Sequence, residues 1–101
     1  MVAASLALAA AITWSPSSSA TMFCHVKHTA DGFVALRDRP SRNAQLLGRI
    51  RPDDEVLIGL EEQGNWVKVT WWRGASRLEK GYHSAEGRGW VNVKLIDELC
   101  G

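Results

Sequence analysis

The chain has 101 residues, 46% of them apolar and 23% charged, which is enough for one packed domain and too apolar for a disordered segment. Twelve Lys and Arg stand against eleven Asp and Glu, a net charge of +1, so no global field steers the molecule to nucleic acid. Five Trp is a high number for so short a chain, and two Cys allow a single internal disulfide.

The first twenty residues carry no charged side chain. Val2 to Ile12 is apolar except for Ser5, and Pro16 and the small residues Ser17 to Ala20 follow. A run this short cannot span a bilayer, which takes roughly twenty apolar residues. It fits the apolar core of a signal peptide, with a helix-breaking Pro and a small-residue cleavage site. The expected division is a signal peptide over residues 1–20, cleaved after Ala20, and a domain over 21–101. No Lys or Arg precedes the apolar run, so only the α-amino group of Met1 supplies positive charge there.

A domain of this size rarely stabilises itself by core burial alone. Cys24 and Cys100 lie at its two ends, in a chain that reads as exported to an oxidising compartment, and a disulfide between them is expected. Such a bond would contribute on the order of 4 kcal/mol, and it requires Cα atoms within about 7 Å.

After residue 21 the apolar period is two. Val34 and Leu36 share a face, as do Val56 and Ile58. Val67, Val69 and Trp71 fall on one face of their segment, with Trp66, Lys68 and Thr70 on the other. These segments are rich in β-branched and aromatic residues and are divided by turn signals at Ala30-Asp31-Gly32, Arg51-Pro52-Asp53-Asp54 and Gln63-Gly64-Asn65. The pattern predicts strands at about 23–29, 33–37, 46–50, 55–60, 66–72 and 88–92, and no helix of useful length. Five or six short strands in this span predict an all-β fold, a small antiparallel barrel or sandwich. Two polar stretches interrupt the rhythm: the loop from Asp38 to Gln45, and the longer segment from Arg73 to Arg88, which exceeds an ordinary hairpin loop.

The order of these pieces resembles the bacterial Src-homology-3 domain, the SH3-like (SH3b) module of exported and cell-envelope proteins. The residues that carry the resemblance are Val34-Ala35-Leu36-Arg37, Pro40-Ser41, Leu46-Leu47-Gly48-Arg49-Ile50, Asp53-Asp54 followed by Glu55-Val56-Leu57-Ile58, Asn65-Trp66-Val67-Lys68-Val69, and Gly89-Trp90-Val91 with Leu95. The resemblance covers about residues 23–97. The chain departs from the family pattern at Arg39, where a Gly usually precedes the loop Pro, and in the length of segment 73–88. The resemblance implies a small SH3-like antiparallel β-barrel whose ends approach each other, as the disulfide requires. It also implies an envelope ligand: a peptidoglycan peptide, a glycan, or an envelope protein.

Arg37, Arg39, Arg42, Arg49 and Arg51 cluster with only Asp38 against them, and Arg can hold a carboxylate bidentately. Trp66 lies on the face opposite Val67, Trp72 ends its strand, and Tyr82 lies in the long loop. The ligand contacts expected are therefore Trp66, Trp72, Tyr82, Arg39 and Arg42, with Trp66, Trp71 and Trp90 alternatively covering the ends of a thin barrel. Cys24, His25 and His28 permit a metal reading with His83 or Cys100 as a further ligand. A disulfide with two surface His is the better reading, so neither metal nor cofactor is expected. No carboxylate pair, nucleophile–base pair or phosphate loop stands out, so no catalysis is expected. The expectation is an exported, periplasmic or secreted, monomeric binding module without a membrane span or nucleic-acid partner. Its alternatives are a structural subunit that meets only a protein partner, and a metal-binding protein.

Overall fold

The computed structural model describes residues 22–97 and residue 100; the expected leader and its cleavage point after Ala20 lie outside the described residues. Six strands form one antiparallel sheet in the order β1-β4-β5-β6-β2-β3. They are β1 (Met22–Cys24), β2 (Val34–Arg37), β3 (Leu46–Ile50), β4 (Glu55–Gln63), β5 (Trp66–Trp72) and β6 (Gly87–Asn92). The all-β expectation holds, with one short helix added.

Alternation decides which side chains form the core. Val34 and Leu36 of β2, Val56 of β4, Val67, Val69 and Trp71 of β5, and Val91 of β6 are buried together with Ile50, Cys24 and Val26. Side chains of the other parity on β5, namely Trp66, Lys68 and Thr70, are half-buried. Trp90 is buried outside this cluster, with the Lys68 Nζ 5.8 Å from its ring centroid. β6 approaches β2 most closely at the pair Arg37↔Trp90. The neighbouring Gly89 is what allows this, because a Cβ there would stand 2.6 Å from the Arg37 carbonyl oxygen.

The first predicted strand, 23–29, is shorter than expected. β1 pairs with β4 only from Met22 to Cys24. The chain then changes partner: Val26 bridges Ile96, the Lys27 amide donates to the Leu95 carbonyl (2.8 Å), and the Asp97 amide donates to the His25 carbonyl (2.8 Å). Cys24 is bonded to Cys100 with the Cα atoms 4.3 Å apart, inside the limit the sequence reading set. The two ends of the domain are thus joined by backbone hydrogen bonds and by a covalent bond.

Asp54 is the one buried charged residue among those described, and it has several partners. Its carboxylate accepts from the Arg51 amide (2.9 Å), the Trp71 indole Nε1 (3.0 Å) and the Gly74 amide (2.7 Å). These bonds tie the β3–β4 turn, the core face of β5 and the start of the long segment to one side chain. A buried carboxylate is tolerated only with such compensation. No helix among the described residues is long and apolar enough to cross a membrane.

Candidate functional site

The two Trp residues at the ends of β5 have different surroundings. They share a strand face by parity and stand about 20 Å apart along the strand.

At the Trp66 end the sheet opens. β2 and β6 are in register only at Arg37↔Trp90. Trp66 pairs with Asn92, and the Val93 amide donates to the Asn65 carbonyl (2.7 Å), so β5 and β6 stay paired here where β2 has no register with β6. The gap is a cleft of about 570 Å³. Phe33, Val34 and Ala35 form one side, and Trp66, Asn92 and Leu95 the other. Arg37, Arg42, Lys94 and Asp31 supply its charges.

Arg37 is committed to holding the 38–45 loop, because its guanidinium donates to the Ala44 carbonyl (3.1 Å). The base of that loop is closed by the Asp38 and Gln45 amides, which donate to the Gln45 carbonyl and the Asp38 carboxylate respectively, each at 3.1 Å. Arg42 projects from this fixed loop. Neither its side chain nor that of Lys94 has a hydrogen-bond or ion-pair partner among the described residues. Arg49 lies over the Phe33 ring, 5.2 Å from its centroid, and adds positive charge at the rim. The cleft therefore combines aromatic surface with two cations that have no partner among the described residues.

At the Trp72 end the same sheet face is covered. Segment 73–88, expected to be free of useful helix, contains α1 (Ser76–Lys80) and a 3-10 turn (Tyr82–Ser84). This insert folds back over the strand end. Trp72 is fully buried, its indole donating to the Tyr82 carbonyl (3.2 Å) and its ring packing between Phe23 and Tyr82 at centroid distances of 6.0 and 5.2 Å. Arg77 fastens the insert. Its guanidinium lies 3.9 Å from the Phe23 ring centroid and donates twice to the Glu55 carboxylate, at 2.8 and 3.0 Å. Those hydrogen bonds hold the Glu55 carboxyl below its ordinary range and push Arg77 up from its own.

The five residues expected at a ligand therefore separate. Trp66 and Arg42 come together in the cleft. Trp72 has no surface to offer, which corrects the expectation that it contacts a ligand: segment 73–88 folds over it. Tyr82 is 52% exposed but packs on Trp72, at the end of β5 away from the cleft. Arg39 is exposed, lies 3.7 Å from Asp38, and does not line the cleft. Phe33 and Lys94 were missed. Phe33 directly follows the Asp31-Gly32 turn, and Lys94 lies in the 3-10 turn Val93–Leu95 just after β6. Only the pairing of β5 with β6 brings Lys94 near Trp66.

Around the cysteines, the Cys24 sulfur is used in the disulfide. His25 Nδ1 lies 2.7 Å from the Asp54 carbonyl, which can only accept, so that nitrogen carries the proton and donates. Among the described residues no group of three or more His, Cys, Asp or Glu is arranged to hold a metal ion. Comparison of the chain with protein-family models, with curated proteins and with solved structures gives no match.

Proposed function

We propose that this chain is an exported, non-catalytic binding module built on an SH3-like barrel, and that it docks a cell-envelope ligand in the cleft between β2 and β6. The observation that carries the reading is the cleft itself, where the half-buried Trp66 and the uncommitted Arg42 meet on a framework closed by a disulfide. A half-buried aromatic ring supplies contact area for a peptide or a sugar, and a guanidinium supplies orientation. The disulfide supports export, because such bonds persist in oxidising compartments. The order of strands and the approach of the chain ends support the SH3-like assignment.

The test is co-sedimentation of the oxidised protein with purified cell-wall sacculi and with envelope membrane fractions. Retention that is lost on Trp66→Ala, with the domain still unfolding cooperatively and its thermal midpoint lowered by a few degrees at most, is the expected result. If neither fraction retains the wild-type protein, the module reading fails and the chain is better described as a subunit that meets only a protein partner.

A further inference from the structure

The cleft lies where a sheet has come apart, and this determines what can fill it. Strand β2 has β3 on one side, paired from Val34↔Ile50 to Arg37↔Leu46. On its other side it meets β6 at a single registered pair, Arg37↔Trp90. In an antiparallel strand alternate residues turn both the N–H and the C=O away from a given neighbour. Between Val34 and Leu36 those outward groups face the gap, where β6 offers β2 no registered partner. A main-chain edge beside an aromatic cleft is a place for an extended peptide to add as a strand, with side-chain pockets supplying selectivity.

The charges narrow the class further. Arg42 and Lys94 lack partners among the described residues, and Arg37 is already tied to the Ala44 carbonyl. Among the described residues that line the cleft only Asp31 opposes these cations, and Arg49 adds to them through its position over Phe33. The whole chain is nearly neutral, so this excess is local. Cations left unpaired at an aromatic cleft complement an anion, and a guanidinium matches the fork of a carboxylate.

We propose that the cleft takes an extended peptide carrying a free carboxylate. The peptide main chain lies along the open edge of β2, an apolar side chain packs on Trp66 and Phe33, and the carboxylate is held by Arg42 and Lys94. This rests on the binding-module reading above and specifies the ligand end that the module recognises. Arg39, Trp72 and Tyr82 take no part.

The probe is N-acetyl-phenylalanyl-alanine, which carries a free carboxylate, titrated into the nitrogen-15-labelled oxidised protein and followed at the indole and arginine side-chain resonances. The control probe is the same dipeptide closed as its amide, and glucuronate serves as a carboxylate on a sugar. The acid should shift the Trp66 indole and Arg42 Nε signals and leave the Trp72 indole in place. The amide should bind about tenfold more weakly, a change of about 1.4 kcal/mol. Arg42→Gln should remove most of the difference between acid and amide, and Lys94→Gln part of it, both with the thermal midpoint unchanged because these side chains hold no other described residue. Equal binding of acid and amide, or shifts confined to Tyr82 and the insert, would overturn the proposal. A glucuronate response at Trp66 as strong as that of the dipeptide would overturn the peptide assignment. The two proposals fail separately. Sacculi retained equally by wild type and Arg42→Gln would leave the module standing and remove the carboxylate contact. A dipeptide titration that behaves as expected while no envelope fraction retains the protein would leave the carboxylate contact standing and remove the cell-envelope ligand.

Discussion

The two ends of β5 make a controlled comparison. Trp66 and Trp72 are the same residue type, on the same strand and of the same parity, so the local rules of a pleated sheet treat them alike. One is half-buried beside an open cleft, and the other is fully buried under an insert. The difference comes from outside the strand. At one end β2 and β6 share a single registered pair and no other described segment fills the gap; at the other, residues 73–86 return to the sheet and are fastened by Arg77, Tyr82 and Asp54. An outward parity thus decides only which face a side chain takes, and the chain elsewhere decides whether that face is solvent, ligand surface or a second small core.

The largest expected effect tests this contrast directly. Trp72→Ala removes a fully buried indole and should cost about 3–5 kcal/mol, the usual range for a buried aromatic, read as a fall in the denaturant midpoint. Trp66→Ala should cost less than about 1 kcal/mol while abolishing cleft binding. Similar losses for both would erase the distinction between the two ends.

Reduction of the Cys24–Cys100 bond should come next, lowering stability by about 2–4 kcal/mol. Its local consequence should fall at the insert end. β1 carries Phe23, on which both Trp72 and Arg77 pack. Amide hydrogen exchange before and after reduction should show faster exchange in β1 and the insert, with the cleft strands β2 and β6 changing least. A uniform acceleration would mean that the two ends do not respond separately.

Asp54→Ala should destabilise by about 3 kcal/mol, because it strips an acceptor from the Trp71 indole and from the Arg51 and Gly74 amides at once. The conservative Asp54→Asn should recover part of the loss. Urea unfolding of both variants measures it, and a change under about 0.5 kcal/mol in Asp54→Ala would show that these groups find other partners.

The smallest effect is a pH dependence. The Glu55 carboxyl lies below its ordinary range in the folded protein because Arg77 donates to it. A depressed folded value means that the contribution is complete above the unfolded carboxylate range and is lost as pH falls through the folded value. Acidification should therefore loosen the insert, seen as a change in Trp72 fluorescence. Glu55→Gln should remove that pH dependence while leaving the cleft's Trp66 indole resonance unmoved.

How much of this was legible in the chain follows the same division. Strands β2, β3 and β5 fall at the expected residues because period-two apolar patterns and strong turn residues fix their limits locally. The disulfide followed from the position of the cysteines. β4 runs to Gln63, past its predicted end, because Gly59 permits a register shift and the exposed Glu61 and Glu62 disguise the continuation as a turn. A Cβ on Gly59 would stand 2.8 Å from the Lys68 carbonyl oxygen, so only glycine lets the hairpin pass that point. α1 is five residues long, too short to impose a 3.6-residue period on its sequence. The burial of Trp72 and the place of Lys94 beside Trp66 depend on strand pairings and chain reversal, to which no local window has access.

The Cys24–Cys100 bond also changes the topology of the chain. Between those two residues the polypeptide is a closed ring, and a ring must be cut twice before it comes apart. A protease that opens the exposed hairpin tip at Gly64 and Asn65, or the 38–45 loop, therefore leaves the domain as one covalent piece. β1 remains tethered to the segment around Ile96 after such a cut, so the strands on either side of the nick stay at high effective concentration. Loss of a fragment then requires a second cut or a thiol reductant as well as the first. The durability of this domain in protease-rich surroundings is set by the redox chemistry outside it as much as by its folding free energy.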